Sequence, residues 1–584
     1  MSSVSSVVEI TRTRSWRNVD AVTYGPLYFL ADFNIETLAR LVGNSVLPGT
    51  ETRMALAAPV MVQLASGSPG PEWSAVVWSQ PDSSIASFRR AVTYEEPDAD
   101  RAIEETREYA ASIGRFARGT RATFVPTWVL PPWHRGYGPL DFRPGLGIAH
   151  LLARMNLALS DALRDEPNVF VLDAARWIAS VGPRAWSDKL WFATKSPFTA
   201  AVFEQAASDL AAAIAGLNGG ARRLVILDLD DVLWGGIVGE VGWQGLNLGG
   251  HDPAGEAFAD FQRALKGLTR RGIQLAIASR NDEAVALEAI DRHPEMALRR
   301  ADFAGWKINW TDKAQNVVDL LAEIGLGAES AVFIDDSASE RARVGSAVPG
   351  VLVPDWPGDP SKYREALASL RCFDVPFITR EDRARSGMYA AERTRRTSLS
   401  AAGDLQAWLE SLDVVVTVES LTSATLDRAT QLFNKTNQMN LATRRLANTE
   451  LMAWTAADDH SVLTFRVADR FGDSGLTGLV GLEFEGPRAR LVDFVLSCRV
   501  MGRNVEETLL HVAAAHARVR GAAELVAEFR PTSRNAPCLE FFRRSGFRAE
   551  SDGRFVWGLS TRYERPPWVT VRDHSDVTRA GNPA

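Results

Sequence analysis

The run Leu224-Val225-Ile226-Leu227, followed at once by Asp228-Leu229-Asp230-Asp231, constrains this chain more than any other feature. An uninterrupted apolar run of this length suits a strand covered on both faces, the environment of a central strand in a parallel sheet. Two carboxylates at i and i+2 then leave the carboxyl end of that strand together, at the edge where open α/β sheets bind ligands. The pattern recurs downstream. The helix-patterned stretch FADFQRALKGLTRRG precedes IQLAIAS, DEAVALEAIDRH follows it, and AQNVVDLLAEIGLG leads into AVFIDD. Strand, helix, strand, helix, strand predicts a doubly wound α/β sheet over residues 219–372.

At 584 residues the chain exceeds one core, and about 150 residues per domain predicts three or four units. Residues 1–218 alternate apolar runs such as SAVVWS and NVFVLDAARWI with helical stretches, another α/β pattern, and end on Asn218-Gly219-Gly220, a helix stop and flexible joint. Residues 373–404, charged and breaker-rich, read as a linker or exposed helix; 405–563 mix strands and helices; 564–584 read as a loose tail. The composition, 46% hydrophobic and 23% charged, supports a buried core in each unit.

A net charge of −7 argues against general nucleic-acid binding, which needs clustered Lys and Arg. Cys372, Cys498 and Cys538 form neither a metal pair nor an even disulfide framework, which points to a reducing compartment. The opening MSSVSSVVEITRTRSW has no apolar core of signal-peptide length, and no run of roughly 18 apolar residues is evident. A cytoplasmic protein with no membrane contact is expected.

One carboxylate pair after a strand is commonly a solvated turn. Here the other strands of the pattern deliver Ser279, Asp335 and Asp336 to the same edge, and Lys313 precedes the helix that leads to the last of them. Carboxylates at that density repel unless a cation sits among them or some are protonated. Oxygen-only ligands suit magnesium (Mg2+), which takes one or two carboxylates together with phosphate oxygens and waters.

These elements resemble the four motifs of the haloacid-dehalogenase superfamily. The resemblance makes Asp228 the nucleophile, Asp230 the acid and base, Ser279 a phosphoryl-oxygen ligand and Lys313 a balancing charge, with Lys307 second choice for that role. It gives Mg2+ to Asp228, Asp230, Asp335 and Asp336. The surrounding wording is more specific. LDLDDVLWGGIVGEVGWQGLNLG, ASRND, INWTDKAQN, FIDDSASER, FNKTNQMNLATRR and LSCRVMGRNVE together resemble the FkbH-like family, subfamily IIIC of that superfamily, over most of the chain. The resemblance implies removal of phosphate from a small phosphorylated three-carbon acid, 1,3-bisphosphoglycerate, and loading of a glyceryl unit onto the phosphopantetheine of an acyl carrier protein in polyketide or related pathways. Loading members carry a cysteine just before the second-motif serine, where this chain has Ala278. Either the acyl group passes directly to the carrier thiol, or another cysteine substitutes, or the protein only removes phosphate. Cys498 is the substitute the sequence offers, and Cys538 reads as core.

In the third unit Arg499-Val500-Met501-Gly502-Arg503-Asn504 precedes a helix and resembles the R-x-x-G-x-G/A loop of GNAT acyltransferases, with Asn504 where that loop has Gly or Ala. A turn at a helix N-terminus presents amides to a pyrophosphate or pantetheine phosphate. Asn535-Ala536-Pro537 resembles the late GNAT motif flanking the pantetheine arm. Arg499, Arg503, Arg444 and Arg445 form the basic surface expected to face an acidic carrier. The first unit resembles an SGNH-hydrolase-like domain, but Ala31-Asp32-Phe33 stands where Gly-Asp-Ser is expected and Asp188-Lys189-Leu190-Trp191 lacks the histidine of an Asp-x-x-His pair. A Ser-His-Asp device without its serine and base cannot run acyl transfer, so a structural or docking role is expected there.

Overall fold

A computed structural model describes residues 25–575 apart from 96–97, 251, 376, 379–394, 396–397, 400–401, 533 and 551–552. Most of the expected linker and the last nine residues of the tail lie outside the described residues. The chain divides into two compact units. One ends at Asn218 and takes in the excursion Leu446–Ala453; the other runs from Gly219 to Arg445 and onward from Trp454.

The first unit is built on a parallel sheet of β1 (Leu27–Ala31), β2 (Thr52–Met54), β3 (Ser74–Trp78), β4 (Ala122–Pro126) and β5 (Val169–Leu172), in the order β2-β1-β3-β4-β5. Every residue of β3 and β4 is buried, as strands covered on both faces must be. The helix Ala200–Leu217 is long and apolar enough to cross a membrane, at mean hydropathy 1.2. Its alanines conceal this when only large apolar residues are sought. Here it lays Val202, Phe203, Ala206 and Leu210 into the core beside Trp78 and Trp177. Where a nucleophilic serine would stand, Phe33 is buried edge-on to Trp78 and Phe198 at centroid distances of 5.5 and 5.9 Å. Asn448, in the excursion from the later chain, donates to the Pro167 carbonyl at 3.3 Å.

In the second unit β6 (Leu224–Leu227), β7 (Gln274–Ser279), β8 (Phe303–Ile308) and β9 (Ala331–Ile334) form a parallel sheet in the order β8-β7-β6-β9. The chain moves outward from β6 to β8, then crosses back to place β9 on the other side of β6. The order therefore reverses between β6 and β9, and a crevice opens at such a reversal. One helical layer covers β6 and β7 with Ala314, Val317, Leu320 and Leu321, the other with Phe258, Phe261, Leu265 and Ile290.

The same unit contains an extended, mostly antiparallel sheet: β10 (Val415–Ser420), β11 (Met439–Asn440), β12 (His460–Asp469), β13 (Gly472–Glu485), β14 (Arg488–Leu496), β15 (Glu524–Glu528), β16 (Arg548–Ala549), β17 (Arg554–Gly558) and β18 (Thr570–Asp573). The order is β16-β17-β15-β14-β13-β12-β10-β18, with β11 on β14. Two expectations change. β18, in the segment expected to be a loose tail, pairs in parallel with β10, because the open edge of β10 supplies the backbone partners that a tail lacks. Arg395, in the expected linker, is buried with both guanidinium arms on Asp469 at 2.8 Å.

Gly219 is closely packed. Its φ is +77°, and a Cβ there would lie 2.2 Å from the Asn434 carbonyl oxygen. Gly219→Ala is expected to lower unit stability by about 2–3 kcal/mol through combined strain and overlap. Urea denaturation checks this, with Gly358→Ala, which meets nothing within 4 Å, shifting stability by less than about 0.5 kcal/mol.

Candidate active site

Leu227 and Ile334 are register partners on the adjacent strands β6 and β9. The next residues, Asp228 and Asp335, therefore emerge side by side at the crevice. The helix Lys313–Ile324 starts there, capped by Asp312, whose carboxylate accepts from the Ala314 amide at 2.8 Å and is gripped by Arg343. Its first residue, Lys313, is buried and donates to Asp228 Oδ2 at 2.5 Å and Asp335 Oδ2 at 2.7 Å. Asp336 stands exposed at the rim, and ligand oxygens of Asp228, Asp335 and Asp336 lie within 4.8 Å of one another.

Electrostatics follow from this packing. Burial pushes the Lys313 ammonium down, but the Asp228 and Asp335 charges outweigh it and leave it above its usual value. Burial and the Asp228 charge push the Asp335 carboxyl up to about 6, against the opposing pull of Lys313. Burial, then Asp228 and Asp231, raise Asp336 too. One ammonium facing three converging carboxylates leaves two negative charges, which a divalent cation would neutralise. The donor set, all oxygen and half open to solvent at Asp336, fits magnesium. Arg341 steadies the backbone behind it, donating to the carbonyls of Asp335 and Asp336 at 2.8 and 2.7 Å.

Asp230 and Ser279 form a second cluster. Asp230 Oδ1 accepts from Trp234 Nε1 at 2.8 Å and the Val238 amide at 3.1 Å. Asn281 Nδ2 donates to Asp230 Oδ2 at 2.9 Å and to Ser279 Oγ at 3.2 Å. Asn281, two residues after Ser279 at the strand end, is a site residue that the pattern of charges in the sequence does not signal. Asp230 is not among the converging metal-type carboxylates; it faces Asn281 and Trp234. Lys307 turns away to pair with Glu323.

Ala278 is fully buried with Ala276, Ala314 and Val317 beneath the helix Lys313–Ile324. Cys498 lies at that helix's far end, its thiol donating to the Gly325 carbonyl at 3.3 Å. The helix spans twelve residues, so about 18 Å separates this thiol from the start of the helix at Lys313. Cys538 is core, and burial raises its thiol pKa to about 12.

The loop expected to hold a pantetheine phosphate is satisfied internally. The Gly502 amide donates to Glu506 Oε1 at 2.8 Å, and Glu506 is buried, with a raised pKa from that burial. Asn504 caps the following helix at φ +58°, a left-handed conformation that Asn tolerates. Arg503, 4% exposed, donates to Asp469 at 3.1 Å, and Arg499 to Ser497 Oγ at 3.3 Å. Arg444 is paired with buried Asp493. Burial, with Arg534 and Arg223 near, pushes Arg445 down to about 10. Asn535 is fully buried, donating to the Asn440 and Arg530 carbonyls. Arg444, Arg503 and Asn535 act as internal struts, because each meets a buried carboxylate or carbonyl distant in sequence.

No protein-family model and no curated protein matches the chain. Solved structures do. The N-terminal part of the protein BF1531 from Bacteroides fragilis, containing a phosphatase domain complexed with Mg, is 24% identical, with a TM-score of 0.55, and covers 61% of this chain and 95% of its own. A putative acetyltransferase of the GNAT family from Desulfovibrio desulfuricans is 17% identical over 19% of this chain and 78% of its own, with a TM-score of 0.17. The chain is a multidomain α/β protein that shares its fold, over 61% of its length, with that phosphatase-containing structure.

Isothermal titration with magnesium chloride is expected to show one ion per chain. Asp335→Asn should weaken it by about tenfold or more, while Asn281→Ala, outside the carboxylate triad, leaves it unchanged.

Proposed function

We propose that the chain is a magnesium-dependent enzyme that removes phosphate from a phosphorylated three-carbon acyl donor of the 1,3-bisphosphoglycerate kind and loads the glyceryl-type acyl unit onto the phosphopantetheine of an acyl carrier protein. The observation that carries the phosphoryl half is the Lys313 ammonium held between Asp228 and Asp335 at the crevice between β6 and β9. The FkbH-like wording of the motifs supports the acyl half, and the first unit, with Phe33 in the serine position, serves as a structural or docking domain of SGNH-like descent.

Two bond cleavages divide the work. At the phosphate ester, the Asp228 carboxylate attacks phosphorus, and Asp230, held by Asn281, Trp234 and Val238, protonates the departing alkoxide. It then takes a proton from the water that frees the enzyme. Ser279 and Lys313 hold the phosphoryl oxygens. A magnesium ion on Asp228, Asp335 and Asp336 would supply charge neutralisation for that transfer. At the acyl phosphate, the carrier thiolate attacks the carbonyl carbon, a thioester forms, and inorganic phosphate departs with the electron pair. The apolar setting of Ala278 and the distance of Cys498 favour this direct transfer over an enzyme thioester. The same two observations favour the second reading, a plain small-metabolite phosphatase.

Phosphate release should require magnesium and fall by roughly a thousandfold or more in Asp228→Asn, an outcome judged by a colorimetric phosphate assay. Intact-protein mass spectrometry of the carrier after incubation with 1,3-bisphosphoglycerate should show an added glyceryl mass; an unchanged carrier alongside phosphate release establishes the phosphatase reading. Cys498→Ser should load at the wild-type rate, and loss of loading in that variant would restore the enzyme-thioester route.

A further inference from the structure

Asn281 is 4% exposed, and its side chain joins two groups that the proposed reaction uses for different tasks. Nδ2 donates to Asp230 Oδ2 at 2.9 Å and to Ser279 Oγ at 3.2 Å. An ionised carboxylate only accepts, so the end of the amide that faces Asp230 must be its NH2 group. Neighbours on both sides fix the backbone that carries this amide. The Ser279 carbonyl accepts from the Asn309 amide at 3.1 Å, and Asp282 caps the following helix by accepting from the Val285 amide at 3.1 Å.

Lone-pair accounting at Asp230 singles out one oxygen. Oδ1 accepts from Trp234 Nε1 at 2.8 Å and from the Val238 amide at 3.1 Å, which occupies both of its lone pairs. Among the described residues Oδ2 accepts from Asn281 alone and keeps a lone pair open. Oδ2 is therefore the oxygen with room to hold a proton and pass it on, and Asn281 fixes its direction. The second bond acts on Ser279. Because Ser279 Oγ accepts from Nδ2, the serine's own proton is left to donate. Leu227 pairs with Ile277, so Asp228 stands level with Ala278 and Ser279 lies one residue further along the adjacent strand. Asp335, with Lys313 bonded to it, follows β9 on the other side of β6. One buried amide thus sets the spacing of the acid–base carboxylate and the hydroxyl on the β7 side of the nucleophile.

We infer that Asn281 is a positioning residue for leaving-group protonation, aiming Asp230 Oδ2 at the ester oxygen while leaving the Ser279 proton for the phosphoryl group. The inference rests on the phosphatase half of the proposed function. In the step it serves, the bond from Asp228 to phosphorus forms, the bond from phosphorus to the ester oxygen breaks with its electron pair on that oxygen, and the Oδ2 proton moves to the same atom. An alkoxide needs that proton in order to leave. A leaving group that is already a stable anion does not, so the contribution of Asn281 depends on the leaving group.

Two esters separate this role from a structural one: 3-phosphoglycerate, which loses an alkoxide, and p-nitrophenyl phosphate, which loses a stabilised phenolate. The reading is kcat/KM of the full chain in magnesium buffer, which covers the steps up to departure of the leaving group and omits the later hydrolysis common to both esters. Asn281→Ala should lower it by about a hundredfold on 3-phosphoglycerate and by less than about threefold on p-nitrophenyl phosphate. Asn281→Leu, which keeps the bulk of the side chain without its N–H groups, should show the same selective loss. The ratio of the two values within one variant does not depend on how much of that variant is folded. Equal losses on the two esters, or no loss on 3-phosphoglycerate, overturn the inference. Wild-type chain that releases phosphate from neither ester refutes the phosphatase reading itself and takes the inference with it, so the two failures are told apart by the wild type.

Discussion

The contact of Lys313 with Asp228 and Asp335 governs the second unit. Three strand and helix ends must meet within a few ångströms for one ammonium to touch two carboxylates, and each is fixed by different forces. Leu227 and Ile334 set the two acids level through ladder bonds, while Asp312 and Arg343 hold the start of the helix. Burying these charges is costly, and the desolvation of an isolated carboxylate there would exceed what the sheet could offset. The arrangement stays short of neutrality, which makes it a ready binder of a divalent cation rather than a static ion pair.

The second sheet was legible because its chemistry is local. Apolar runs ending in acids announce buried parallel strands, and the order of Asp228, Ser279, Lys313 and Asp335 survives translation into space because parallel strands all present the same edge. Partners distant in sequence left no trace. Arg395 and Arg503 read as exposed basic residues because nothing near them in the chain announces Asp469 as their common partner. Asn281 carries no charge signature in the sequence, although it joins Asp230 to Ser279. β18 has only four residues, and its partner β10 lies some 150 residues upstream. Alternation alone cannot reveal such a strand.

The third sheet holds a different lesson. A glycine turn before a helix is an anion site only while its amides are unspent. Here Glu506 accepts from Gly502, and its second oxygen is buried without a protein partner. Beyond Leu491 and Ala527, β14 and β15 no longer pair with each other, and β11 fills the divergence, bonded to β14 on one side while Leu441 accepts from the Arg530 amide. Buried pairings within this sheet, Arg444 with Asp493 and Arg503 with Asp469, tie its loops to its strands.

Ala278 belongs to the packing that supports the Lys313 contact. Its methyl group lies in an alanine-lined layer under the Lys313 helix, with Ala276, Ala314 and Val317. A methyl group keeps that layer apolar and close-packed, which in turn holds Lys313 against its two carboxylates. Ala278 thus supports the arrangement in which one ammonium meets two carboxylates.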